Sequence, residues 1–391
     1  MAQFAVDAAT GLARTWFADG VAPRAQPQMV WLYLSGWTTR SPSAPRTAVP
    51  DTFRGFRATA IASRTVESAS LTFPRPDRFA SEMEGHRREL TGYCYRMLGA
   101  GSEAEDAVQE TFLRAWRGRD GFQRRATLRS WLYRIATNVC LDMPQRPQRR
   151  ARPMDLEAAS TTEAAVLSEL PEYRWVQPIA DGRVLSPGGD PAELAAQRET
   201  LRLAFVAALQ LLPARQRAVL ILREVLHWQA SEVAQLLDTT TASVNSALQR
   251  ARARIDAQEI VGDEPQLDAD DERLLARYMS CFERYDIDQL VTLLHEDATF
   301  SMPPFNLWIR GPEEVRRWML GPGAECRDGR LLATRANGCP AFASYRADPA
   351  GGHNAWSLQV LEIKGGRITG IHNYLNTELL TSFGLPLHLK A

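Results

Sequence analysis

The feature that most limits the folds open to this chain is a change of hydrophobic period partway along it. From Gly85 to Asp142, and again from Pro191 to about Ile255, apolar residues return every three or four positions, the spacing of amphipathic helices. After residue 271 two further helical segments give way to alternation, in "ATFSMP", "NAWSLQVLEI" and "RITGIHNYL". A two-residue period belongs to strands with one buried face. The "KGG" at Lys364–Gly366, between the last two strands, is a hairpin signal. The chain therefore reads as two all-α modules followed by an α+β domain, which its 391 residues can accommodate.

The intervening segments set the boundaries. Residues 1–82 show no sustained period and many breakers, as in "WTTRSPSAPRTAVPDTFRG", and are expected to be disordered or to be an extension ahead of a start at Met83. The first module is expected over 83–148, ended by Pro144, Pro147 and Pro153, and the second over 191–258. Between them, 149–190 is a linker rich in acidic residues, Pro and Gly; a second acidic linker, 259–270, leads to the domain at 271–391. A passive tether and a negatively charged mimic of nucleic acid are both readings of the first linker.

Basic and acidic residues balance at 46 each, but all the basic residues except Lys364 and Lys390 are arginine, which fits coding bias in a high-GC genome. Placement is more informative. From His86 to Arg150 there are 13 Arg against seven Asp plus Glu, a surplus of six. Cys94, Cys140, Cys281, Cys326 and Cys339 are scattered without a CxxC pair, so neither a zinc site nor a disulfide framework is indicated, and no metal or cofactor is expected. "MVWLYL" at Met29–Leu34 is too short to span a bilayer and lacks the order of a signal peptide; a cytoplasmic protein with no membrane contact is expected.

In "SEAEDAVQETFLRAW", Ser102 and Glu105 have capping-box spacing, and Ala104, Val108, Phe112 and Ala115 form a stripe to bury. Asp106, Gln109 and Glu110 fall at i, i+3 and i+4 and share another face. Such a face is commonly just solvated; a hydrogen-bonding acidic set can also serve a partner. In the second module "ASEVAQLL", "DTT" and "TASVNSALQRARARI" have helix-turn-helix spacing, with Val233, Leu236 and Leu237 on one apolar face and Val244, Ala247, Leu248 and Ala251 on the other. Ser243, Asn245, Ser246 and Gln249 then point outward, as base-edge readers would, and Arg250, Arg252 and Arg254 suit phosphates. Plain helix packing is the competing reading.

Three blocks in this order, "SEAEDAVQETFLRAWRGRDGF", "TLRSWLYRIATNVCLD" and "LPARQRAVLILREV…EVAQLL…SVNSALQRARARI", resemble regions 2 and 4 of a sigma-70-type RNA polymerase sigma factor of the extracytoplasmic-function group, over roughly 86–256. The resemblance implies that Asp106, Gln109 and Glu110 contact the β′ clamp helices of core RNA polymerase, with a further contact to the β flap. It implies that the "SWLYRIATN" helix and the loop from Phe122 to Thr127 grip the −10 promoter element and capture a flipped base, through Arg129, Arg134, Asn138 and Trp131. Trp131 fits the helical core as well as DNA. The helix-turn-helix would read the −35 element through Ser243, Asn245, Ser246, Gln249, Arg250 and Arg252. The family often has a shorter, plainer linker between the two regions.

Residues 271–391 resemble a SnoaL-like, nuclear-transport-factor-like cone, a pocket-forming domain appended in one branch of these factors, the sigma factor G type. The fold class implied is multidomain: a region 2 helical bundle, a region 4 helix-turn-helix and an α+β SnoaL-like cone. Met302, Trp308, Trp318, Tyr345 and His372 are candidate pocket residues for a small-molecule ligand. His295, Asp297, Tyr345, His353 and His372 are candidate acids or bases, with no pairing set by the sequence. The expected function is an alternative sigma factor that catalyses no reaction and is regulated by its cone. A helix-turn-helix regulator acting without polymerase would leave the "DAVQE" helix unexplained, and an enzyme built on the cone would need a paired acid and base.

Overall fold

In the computed structural model, which describes residues 78–122, 127–143, 150–185, 188, 190–256 and 269–390, the first module comprises α1 (Arg78–Glu84), α2 (Arg87–Leu98), α3 (Gly101–Gly118) and α4 (Leu128–Asp142). Expectations for residues 1–77 and for most of the loop after Phe122 lie outside the described residues. The chain is helical from Arg78, upstream of Met83, because Phe79 has rings to pack on: Trp116 and Trp131 each lie 6.3 Å away. Nor does the capping box at Ser102 form. Gly99, left-handed at φ 75°, ends α2, and a fully buried Ala100 serves as N-cap, so Ser102 is already inside α3. Glu105 pairs instead with Arg183, at 3.2 Å. Thr127 does cap α4, accepting a hydrogen bond from the Ser130 amide at 3.1 Å.

After the short α5 (Asp181–Val184), the second module runs through α6 (Pro191–Glu199), α7 (Leu203–Gln210), α8 (Ala214–Leu220), a π-helical turn at Ile221–Val225, α9 (Ala230–Leu236) and α10 (Thr241–Asp256). Asp238, at φ 51°, makes the tight turn between α9 and α10, and Val244, Leu248 and Ala251 bury one face of α10. The spacing i, i+4, i+7 that predicted this face is the one observed.

The C-terminal domain opens with α11 (Ala269–Glu283) and α12 (Ile287–Val291). Then come β1 (Leu294–Ser301), β2 (Trp308–Arg310), α13 (Pro312–Leu320), β3 (Arg330–Ala336), β4 (Cys339–Ala347), β5 (His353–Lys364), β6 (Arg367–Tyr374), α14 (Glu378–Ser382) and β7 (His388–Leu389). The sheet order is β2-β1-β6-β5-β4-β3, with β7 on β5; β1 and β6 are parallel and the other pairs antiparallel. The KGG signal becomes a two-residue turn in which Lys364 pairs with Arg367 and both glycines have positive φ. One face of the sheet packs on α11, α12 and α13 through Tyr278, Phe282, Leu290, Phe300 and Trp318. Its other face shares a continuous apolar core with both helical modules, where Ala341, Leu358 and Val360 join Leu90, Tyr93, Leu201 and Leu209.

The linker is not a passive tether. Ser160 donates its amide to the Trp308 carbonyl at 2.9 Å, Leu170 donates to Pro304 at 3.0 Å, and Trp308 Nε1 donates to Glu157 at 2.8 Å. The chain then returns to the first module, where Trp175 is buried and the Gln177 amide donates to Gly99 at 3.0 Å.

All of these segments meet at the tip of the β3–β4 hairpin. Asn337 is fully buried in the left-handed conformation, φ 57°. Its Nδ2 donates to Tyr95 Oη and to the Leu201 carbonyl, both at 2.7 Å; its Oδ1 accepts from the Ile179 amide at 2.9 Å, and its own amide donates to Ile179 at 3.1 Å. The Tyr95 hydroxyl in turn donates a hydrogen bond to the Gln177 carbonyl, 2.8 Å away. The neighbouring Gly338 amide donates to Asp181 Oδ1 at 2.7 Å, and a Cβ there would come within 2.7 Å of Arg198 Cβ. Asn337→Ala removes three buried side-chain hydrogen bonds and puts a less tolerant residue at positive φ. It should cost roughly 3 kcal/mol in urea unfolding, and a loss under about 1 kcal/mol would show that the tip carries little of the junction.

Candidate functional site

The acidic face of α3 is open. Asp106 and Gln109 are exposed, and Glu110 is half-buried, accepting from Arg114 Nε at 2.7 Å. Arg114 in turn reaches Asp142 at 3.1 Å, which orders this face without covering it. Of the predicted apolar stripe, Ala104, Val108 and Ala115 are fully buried; Phe112 is half-buried beneath the Arg87 guanidinium, 4.8 Å from its ring centre. Sequence reasoning passed over Leu113, 37% exposed on the same side as Asp106, and Trp116, 36% exposed. Their signal was available: Leu113 lies seven residues after Asp106 and out of phase with the buried stripe.

The helix α4 is in a different situation. Arg129 donates to Glu89 at 2.8 Å and lies over the rings of Tyr133 and Trp228, at 5.1 and 5.4 Å. Trp228, from the second module, is 5.1 Å from Tyr133, ring to ring, and nearly buried. One side of α4 is thus packed beneath the second module, and nothing in the residues around Trp228 announced it. Trp131 is stacked on Phe122 at 4.8 Å and 22°, so the ring assigned to DNA is engaged in helix packing, as its core reading allowed. Arg134 and Asn138 are exposed. On α10, Ser243, Asn245, Ser246, Gln249, Arg250 and Arg252 all face solvent, with Arg252 paired to Glu224 at 2.7 Å.

The cone encloses a cavity of about 280 Å³. Met302 and Trp318 line it as expected. Three other candidates do not. Trp308 spends its indole N–H on the linker, and Tyr345, fully buried, donates to the Pro386 carbonyl at 2.9 Å on the sheet's other side. His372 is buried with Ser301 Oγ 2.9 Å from its Nδ1 and Glu362 Oε1 3.5 Å from its Nε2, an ion-pair distance without hydrogen-bond geometry. Alternation explains the error, because Ile371 and Asn373 on either side of it line the cavity and His372 must then point away. Among the other acid–base candidates, His295 accepts from the Asp297 amide at 3.1 Å and His353 lies 3.1 Å from the Asp328 carbonyl, neither of them on the cavity wall. Among the described residues no group of three or more His, Cys, Asp or Glu could hold a metal, and no helix is long and apolar enough to cross a membrane.

Glu362 faces the helical modules. Burial pushes its carboxyl up, but His372, Arg152 of the linker and Arg202 of the second module more than offset this and hold it at about 2. Gly370 leaves the space, since a Cβ there would sit 3.0 Å from both Glu362 Oε2 and His372 Nε2.

Residues 83–150 match the Sigma-70 region 2 family, 202–255 the Sigma-70 region 4 family and 275–371 the SnoaL-like domain family. The chain is 42% identical over 316 residues to the ECF RNA polymerase sigma factor SigG of Mycobacterium tuberculosis, covering 79% of this chain and 84% of that protein. It is 28% identical over 326 residues to SigJ of the same organism, covering 78% of this chain and 94% of SigJ. The crystal structure of M. tuberculosis SigJ aligns with a TM-score of 0.49 and 23% identity, over 78% of this chain and 99% of that one.

The depressed Glu362 carboxyl has a consequence for acid stability. Its contribution is present above the usual glutamate pKa, about 4.3, and is lost as pH falls through that range toward about 2. Urea midpoints of the wild type should therefore drop more steeply over that interval than those of Glu362→Gln. Parallel curves would mean that the carboxylate is not held by its neighbours.

Proposed function

The chain belongs to the extracytoplasmic-function RNA polymerase sigma factors, and from that premise we propose how its surfaces share the work and what the cone does to them. As a sigma factor it binds core RNA polymerase and directs promoter-specific initiation of transcription. Asp106, Gln109 and Glu110 meet the β′ clamp helices, with Leu113 adding apolar contact, and region 4 meets the β flap. Arg134 and Asn138 on α4 hold the −10 element, joined by Arg129 once it leaves Trp228. On α10, Ser243, Asn245, Ser246 and Gln249 read −35 bases, and Arg250 and Arg252 neutralise phosphates. The work is binding and positioning, carried out in the cytoplasm where polymerase and promoter are.

The described form is a closed one. The observation that carries this is Trp228 of region 4 seated on Tyr133 and Arg129 of the −10 helix. Promoter engagement needs these surfaces apart, while the clamp-binding face of α3 is open already. Polymerase therefore docks first, and the differential contacts it makes with the separated modules shift the equilibrium. The cone opposes this through the Asn337 junction, acting as an attached restraint.

In gel filtration with core polymerase, Asp106→Arg/Glu110→Arg should lose affinity by about ten-fold or more while keeping its circular dichroism spectrum. Unchanged co-migration would remove the clamp assignment. In promoter-dependent transcription at limiting protein, Trp228→Ala, confirmed as folded, should raise output by roughly three-fold or more relative to wild type. Equal or lower output would reject the closed-form reading.

A further inference from the structure

The linker that lies along the cone has a second face. Leu167 lines the cone cavity, while Val166 and Ser168 on either side of it line a separate, open groove of about 380 Å³. Three stretches of the linker build this groove, at 156–157, at 166–170 and at Arg174, and Asn306 from the loop between β1 and β2 completes it. Hydrogen bonds to the backbone pin each wall. Asn306 donates its amide to the Ser168 carbonyl at 2.9 Å, and Leu170 donates to Pro304 at 3.0 Å. The Glu157 carbonyl accepts from Trp308 Nε1 at 2.8 Å, and the Arg174 carbonyl accepts from the Ala151 amide at 2.8 Å. The groove is therefore preformed, which lowers the ordering cost of filling it.

Its polar groups are unspent. Arg174 Nε and Asn306 Oδ1 are both buried without a hydrogen-bond partner, one a donor and the other an acceptor. Buried polar atoms cost free energy until something meets them, and here two of opposite kind belong to one groove. The charges of the groove are Arg174 and Glu157, and among the described residues neither has an ion-pair partner, the other included. A simple anion drawn to Arg174 would also face Glu157, and a simple cation drawn to Glu157 would face Arg174. A molecule with both charges a short distance apart satisfies both. Leu156, Val166 and Leu170 supply an apolar wall, and Val166, 76% exposed, is bare surface that such a molecule would cover.

We propose that this groove binds a small zwitterion of the α-amino-acid class with an apolar side chain. Its carboxylate accepts from the Arg174 guanidinium, its ammonium donates to Asn306 Oδ1 on the side of Glu157, and its side chain packs on Leu156, Val166 and Leu170. At about 380 Å³ the groove is at the small end of ligand sites, which suits a single amino acid. Three stretches of linker and one loop of the cone converge on the ligand, so occupancy favours the form in which the linker lies on the cone. Neither the site nor this consequence rests on the Trp228 contact.

The test is calorimetric titration of the full chain, without polymerase, with L-leucine. Two analogues that each lack one charge, the leucinamide cation and the isocaproate anion, are run beside it. Leucine should bind saturably at one site, and each analogue about ten-fold more weakly or not at all. Glu157→Gln should narrow the advantage of leucine over isocaproate by about three-fold or more, and Arg174→Gln should do the same for its advantage over leucinamide. These are ratios of affinities within one folded protein, so a general loss of stability moves neither. Glu157 is exposed, and its variant keeps the test open if Arg174→Gln does not fold. Bound leucine should also slow amide hydrogen exchange at Leu170 and Asn306. Absence of saturable leucine binding, or isocaproate or leucinamide binding as tightly as leucine, overturns the ligand class. Leucine binding with unchanged selectivity in the folded variants and unchanged exchange overturns the site.

Discussion

A buried asparagine at a hairpin tip holds four stretches of chain in one arrangement. Asn337 bonds Tyr95 of region 2, Ile179 of the linker and Leu201 at the start of region 4, from a position in the C-terminal sheet. Polar groups this far from water cost free energy unless every one is satisfied, so the junction tolerates little displacement of any partner. The left-handed backbone at Asn337 and the missing Cβ at Gly338 make the close approach possible. Other hydrogen bonds join regions 2 and 4, Arg96 Nη2 to Thr200 Oγ1 at 2.8 Å and Gln210 Nε2 to the Arg96 carbonyl at 3.2 Å among them. The tip adds the C-terminal sheet and the linker to that arrangement.

From that junction follows an unequal exposure of three helix faces. The α3 face with Asp106 and Gln109 is turned outward, and the exposed polar side of α10 is free. On α4, Arg129 and Tyr133 are covered by Trp228, while Arg134 and Asn138 remain in solvent. The contact is aromatic and cationic, with modest energy per contact, so it can be exchanged for others of similar strength.

Much of the site was open to reading from spacing alone. The outward set on α10, the acid face of α3 and the KGG hairpin each rest on a local period or a local turn, and local backbone geometry settles them. The errors have physical causes too. Ser102 was read as a cap, but the tight turn through Gly99 and Ala100 starts α3 earlier. His372 was assigned to the pocket although its neighbours Ile371 and Asn373 occupy that face, so strand alternation sends it to the opposite side with Glu362. The "NG" of Asn337–Gly338 is itself a strong hairpin signal, and it went unused.

The order of helical and alternating segments, the two outward polar helix faces and the family resemblance all belong to the amino-acid sequence, because each depends on residues within a few positions of one another. Where the modules sit on each other does not. The Trp228 seat on α4, the linker laid against β2 with Leu167 at the cavity, and the four-way bonding of Asn337 join residues from 95 positions apart, as with Tyr133 and Trp228, to more than 240, as with Tyr95 and Asn337. No period or motif encodes such pairings. They arise when separate apolar faces are buried together and the polar groups trapped between them must find partners.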